Sequence, residues 1–144
     1  MPAEIGWFPV MKTVENILKE SESPALSGVA IYQGTKGTAK SFPCIEIIWD
    51  NETGISMHTG GGTTGVWIDT MVNRVEGADA DDSEAYARLY EIQQAMLAAL
   101  DGFPRRLLTD YGIASKADVK QIVSDGAEFT TTFGSRAFLT VSRK

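Results

Sequence analysis

Apolar positions along the chain change their period several times, and each change marks an element. Over residues 9–20, Val10, Val14, Ile17 and Leu18 recur at helical spacing and make one apolar stripe. Pro9 suits a first helical turn, where its missing N–H is not needed. The stripe ends in Ser21-Glu22-Ser23-Pro24, since the residue before a proline avoids the helical region. Residues 26–32 read as a strand, and a loop rich in Gly, Thr and Lys follows over 33–41. Residues 42–50 form the clearest strand. Ile45, Ile47 and Trp49 point one way, while Cys44, Glu46 and Ile48 point the other. Asp50-Asn51-Glu52-Thr53-Gly54 is a turn by composition.

Residues 55–58 are a short alternating segment, 59–65 a Gly-rich loop, and 66–75 a long strand with apolar side chains on both faces. Together, residues 55–75 predict a hairpin with a glycine-rich tip. The most periodic segment is 82–100, where Leu89, Ile92, Gln93, Met96, Leu97 and Leu100 follow the helical repeat and Ala85 and Tyr86 extend it. Asp81 or Asp82 is its expected cap, and Asp81 with Glu84 fits the capping-box spacing. Gly102 and Pro104 stop it. Residues 103–116 read as irregular with room for a helical turn, and 119–124 as a strand. Residues 129–133 and 137–141 read as a hairpin joined at Gly134-Ser135-Arg136. The expected fold is α+β: one domain over residues 1–144, with a mostly antiparallel β-sheet and two main helices packed on one face.

Composition narrows the function. The chain has 144 residues, 43% of them hydrophobic and 22% charged, which suits a folded domain rather than long disorder. Its formal charge of −6 disfavours a dedicated nucleic-acid binder, because an acidic surface repels phosphates. The lone cysteine, Cys44, makes no internal disulfide and suits a reducing compartment. No apolar run approaches the ~20 residues that span a bilayer. The opening Met1-Pro2-Ala3-Glu4-Ile5-Gly6 lacks both the basic start and the apolar run of a signal peptide. A cytoplasmic setting is the expectation, with no membrane partner.

No residue pattern assembles an active site. Gly60-Gly61-Gly62-Thr63-Thr64-Gly65 invites a phosphate-loop reading, yet Val66 stands where a lysine should follow, and a strand follows instead of a helix. A pliant tip that docks on a partner fits these residues better. His58 is the single histidine. A small enzyme or ligand-binding protein using the 60–65 loop with His58 or Cys44 is the alternative reading. The acids Asp79, Asp81, Asp82 and Glu84 lack calcium-loop spacing and serve a helix start. Arg105-Arg106 reads as a surface pair, and Trp7, Trp49 and Trp67 read as core or interface. No cofactor and no metal is implied. A strand apolar on both faces needs cover on both, which is a motive for self-association.

The order of elements resembles the tail terminator (tail completion, minor tail protein) family of long-tailed bacteriophages and prophages. The helix at 9–20, the proline-opened strand from Phe42-Pro43-Cys44, a hairpin, the long helix at 82–100 and a closing strand pair at 129–141 carry that resemblance. The resemblance implies no catalytic residues. It implies a homo-oligomeric ring of about six identical subunits, closed by a head-to-tail interface. Such a ring caps the tail tube and joins the head connector, in the bacterial cytoplasm or in the virion tail. Gly60, Gly61, Gly62, Thr63, Thr64, Gly65 and Trp67 are the residues expected to face a neighbour or the lumen. An acidic lumen would let DNA slide without sticking.

Overall fold

The computed structural model describes residues 6–35, 41–53, 62–73, 81–122 and 132–143. Their order is α1 (Trp7–Lys19), a 3-10 turn at Pro24–Leu26, β1 (Ala30–Gln33), β2 (Cys44–Thr53), β3 (Thr63–Asn73), α2 (Ser83–Leu100), α3 (Phe103–Tyr111), β4 (Ser115–Ile122) and β5 (Thr132–Arg143). The five strands make one sheet in the order β1-β2-β3-β5-β4. Only β1 and β2 pair in parallel; the other three pairings are antiparallel. The fold is therefore α+β with a mostly antiparallel sheet.

Several boundaries differ from the sequence expectation, each for a local reason. Helix α1 starts at Trp7, ahead of Pro9, because the first four N–H groups of a helix need no internal acceptor. Thr13 closes this turn by donating its hydroxyl to the Pro9 carbonyl at 2.7 Å. The strand expected at 26–32 shrinks to β1, since Pro24–Leu26 turn and Gly28 adopts a left-handed φ of 78°. The expected turn at 50–54 is instead a continuation of β2 through Thr53, with a bulge between Trp49 and Asn51. Thr63, Thr64 and Gly65 belong to β3 rather than to a loop, and the partner of β3 is β2. The segment at 55–58, with the residues from 54 to 61, lies outside the described residues.

Among the described residues a shorter third helix joins the two main ones: residues 103–111 are α3. Pro104 opens this helix, and Gly112, at φ 70°, ends it. The same Gly102 and Pro104 that stop α2 therefore start its successor. Strand β4 begins at Ser115, ahead of the expected 119, and residues 123–124 lie outside the described residues. The hairpin at Gly134-Ser135-Arg136 does not exist. Strand β5 runs straight through these residues, which face Met71, Thr70 and Asp69 of β3. Gly134 has no positive φ, so the backbone makes no tight turn there. Residues 129–131 lie outside the described residues.

The core forms between one sheet face and the helices. On that inner face, Ile45, Ile47, Val66, Ile68, Val72, Ala137, Leu139 and Val141 are buried, and the register aligns them across β2, β3 and β5. Val10, Val14 and Leu18 of α1, Ile92 and Met96 of α2, and Phe103 and Leu107 of α3 close over them. Phe103 is fully buried, so Phe103→Ala should cost about 3–5 kcal/mol. Urea unfolding measures this; a cost below about 1 kcal/mol would mean that α3 is not part of the core.

One acid ties α1 to this layer. Glu15 accepts from Lys12 Nζ at 2.7 Å, lies 3.3 Å from Lys19 Nζ, and accepts from Gln33 Nε2 at 3.4 Å. Burial pushes its carboxyl up, but the bonds from Lys12 and Lys19 outweigh that and leave it below the ordinary 4.5. A depressed folded value stabilises the fold above the unfolded value, and this is lost as pH falls through the folded one. Glu15→Gln should therefore flatten the loss of stability between about pH 5 and pH 3 relative to the parent chain. Thermal unfolding across that range is the measurement; parallel curves would show that Glu15 does not contribute.

Candidate functional site

Alternate side chains of a strand go to opposite faces, so the inward set described above leaves an outward set with no described helix on it. Three outward rows cross the centre of the sheet. Ile48, Trp67 and Phe138 align across β2, β3 and β5; so do Glu46, Asp69 and Arg136; and so do Cys44, Met71 and Gly134. The middle of this face is a network rather than bare apolar surface. The Trp67 and Phe138 rings lie 4.6 Å apart at 53°. The Arg136 guanidinium sits 4.4 Å from the Trp67 ring centre. It also donates to both Asp69 oxygens, from Nε at 2.8 Å and from Nη2 at 3.2 Å. The bond to Asp69 holds the guanidinium's pKa above its usual value. Trp67 Nε1 donates to Asp50 Oδ1 at 3.1 Å.

Magnitudes decide what this network is for. The Arg136–Asp69 side chains are 45% and 18% exposed, and such pairs contribute only about 0.2–1 kcal/mol. Stacking of Arg136 on the indole adds about 0.5–1 kcal/mol. The network thus holds Trp67 in one orientation more than it stabilises the fold. Gly65 completes it, because a Cβ there would lie 2.5 Å from Phe138 Cζ and 3.2 Å from Asn51 Nδ2. The glycine serves close approach within a strand rather than a turn.

The residues singled out in the sequence divide as follows. His58, Gly60 and Gly61 lie outside the described residues. Gly62 precedes β3, and its carbonyl accepts from the Arg143 N–H at 3.3 Å. Thr63, Gly65 and Trp67 share the outer face, with the Thr63 hydroxyl 3.3 Å from that of Ser142. Thr64 is buried on the inner side and donates to Glu52 Oε1 at 3.4 Å. Cys44 is fully buried and faces Met71. At the start of α2, Asp81 Oδ1 accepts from the N–H of Ser83 at 3.1 Å and from its hydroxyl at 2.6 Å, which lowers the Asp81 carboxyl below its ordinary value. Asp81, with Ser83 rather than Glu84, therefore satisfies the helix start, and the N-cap residue Asp82 makes no side-chain cap bond. Arg106 pairs with Glu20 and Asp110, while Arg105 is exposed.

Two features escape a reading of linear order. Trp7 and Trp49 are distant in the chain, yet their rings stack 5.1 Å apart, and Phe8 meets Trp7 edge-on. All three are more than two-fifths exposed. The alternation of β2 placed Trp49 on the inward side, and only the start of α1 at Trp7 brings the second indole over it. Tyr86, assigned to the buried stripe of the long helix, is instead 54% exposed, with Tyr90 one turn on at 62%. The stripe of α2 is narrower than its composition implies.

Gly65→Ala should destabilise the chain by about 1–3 kcal/mol, by driving Phe138 and Asn51 off their positions. In a Phe138→Ala background most of that cost should vanish, since the colliding ring is gone. A double-mutant cycle by denaturant unfolding tests this, and additive costs would show that the close packing is not what requires the glycine.

Among the described residues, no helix is long and apolar enough to cross a membrane. No protein-family model matches the chain, and no curated protein matches it. Among solved structures, the chain is similar to the PVC sheath/tube terminator of an extracellular contractile injection system, seen by electron cryo-microscopy in the extended state. The two share 12% identity with a TM-score of 0.44, over 99% of this chain. The chain spans 58% of the length of that terminator. At this identity and TM-score the likeness carries no role over to this chain.

Proposed function

We propose that the chain is a structural subunit of a phage-tail-like assembly, of the tail terminator type, and not an enzyme. In this reading, copies form a homo-oligomeric ring, hexameric by the resemblance, which caps a tail tube and meets the head connector. One observation carries the proposal: large aromatic groups stand in ordered clusters at the surface, one exposed and one half-buried on the open sheet face. Trp7, Phe8 and Trp49 form one cluster, and Trp67 with Phe138 and Arg136 forms another. Tryptophan, tyrosine, phenylalanine and arginine are the residues enriched where proteins meet. The outer face, with Thr63, Gly65 and Trp67, is assigned to an assembly partner, and Gly60, Gly61, Gly62 and Thr64, which adjoin these residues in the sequence, are assigned to the same contact. The net charge of −6 suits a ring whose lumen DNA traverses without sticking.

Light scattering behind a sizing column, over a concentration series, tests the assembly. The expected result is a species approaching about six chains as concentration rises, with ring-shaped particles in negative stain. A monomer at every concentration would overturn the reading.

A further inference from the structure

Each of the three described α-helices ends beside an acid, where the unmet carbonyl groups of the last turn already concentrate negative charge. Glu20 caps α1, and Asp110 lies in the last turn of α3. Arg106 answers both: its Nη1 lies 2.5 Å from Glu20 Oε2, and its Nε lies 2.6 Å from Asp110 Oδ2. Asp101 caps α2, with its N–H donating to the Ala98 carbonyl at 3.3 Å. Yet the last turn of α2 holds no basic residue, and among the described residues the Asp101 carboxylate has no partner. Asp101 lines a groove of about 360 Å³ between α2, the start of α3 and β4. Leu97, Leu100, Pro104, Ala117 and Val119 give that groove apolar walls. Ala117 and Val119 are inward side chains of β4, opposite the buried Val141 and Leu139. Asp118 also lies at the groove, but its side chain alternates outward with those of Lys116 and Lys120, and all three are exposed. Strand β4 is the last of the sheet, so its other side carries no strand among the described residues.

We propose that this groove takes an arginine of an unlike partner protein, presented on an extended segment that pairs with the free edge of β4. The contact uses a surface apart from the Trp67 face and does not depend on a ring. A guanidinium has five N–H donors, enough to meet the Asp101 carboxylate and the end carbonyls of α2 together. Its aliphatic stem lies against Leu97, Ala117 and Val119, as long basic side chains do on apolar surface. The two sides of β4 set the orientation of the segment. Outward, two lysines against one acid repel a base; inward, Asp101 and the end of α2 attract one. The unpaired edge supplies the backbone hydrogen bonds, and the groove selects among the side chains that point inward. With a net charge of −6, a second copy of this chain is a poorer source of that base than an unlike protein.

Fluorescence anisotropy tests this with the full chain and a labelled peptide, Thr-Val-Thr-Arg-Thr-Val-Thr, whose arginine shares one face with the valines. Saturable binding is expected, weakened about 3- to 10-fold by Asp101→Asn through the loss of one partly solvated charge-assisted bond. The same peptide with citrulline, which keeps the shape and removes the charge, should bind as weakly and no longer sense Asp101→Asn. That variant should not lower the unfolding temperature, since an acid against the negative end of a helix stabilises nothing; a lost signal then reports the groove rather than the fold. N-methylation of alternate peptide amides should abolish binding in one of its two phases, because only one set of N–H groups faces β4. Equal binding of the arginine and citrulline peptides, indifference to Asp101→Asn, or no saturable binding would overturn the proposal. Loss of an oligomer of the chain alone on Asp101→Asn, seen by light scattering, would make a second copy the occupant and overturn the unlike partner.

Discussion

The structure depends on one asymmetry of layers. A sheet has two faces, and the three described helices all pack onto one of them. The buried side chains of α1, α2 and α3 converge on Ile45, Ile47, Val66, Ile68, Leu139 and Val141, and no described helix lies on the other side. The outer face must then manage its own exposure. It does so with side chains that shield one another: Phe138 over Gly65, Arg136 over Trp67, and Asp69 and Asp50 anchoring both. Such shielding leaves aromatic surface accessible yet ordered. An ordered aromatic surface loses little conformational freedom when a partner covers it, which is what makes it useful for contact.

Much of this was legible in the sequence, and the limits of legibility have physical causes. The stripes of α1 and α2 and the alternation of β2 are local signals, repeated over many residues, so their elements and most of their inner faces read correctly, Tyr86 of α2 excepted. Breakers misled where tertiary pairing overrode them. Gly134 looks like a turn, but a glycine against Met71 in a long ladder is equally a strand residue. Asp50-Asn51-Glu52 looks like a turn because polar residues mark bends, whereas here a bulge carries them along a strand end. Pro104 was read only as the end of a helix, although proline is also a favoured first residue. The site was legible in part. Gly65 and Trp67 were singled out, but their partners Phe138, Arg136 and Asp50 lie on other strands, and register cannot be read from one segment. The stack of Trp7 on Trp49 is likewise a tertiary event.

The same asymmetry bears on how copies can associate. A face-to-face pairing of two outer faces is self-complementary: it would close at two copies and bury the aromatic network without using the sheet ends. It would also set the Arg136–Asp69 pair of each copy against its mate, where desolvating charges offsets much of what the aromatics contribute.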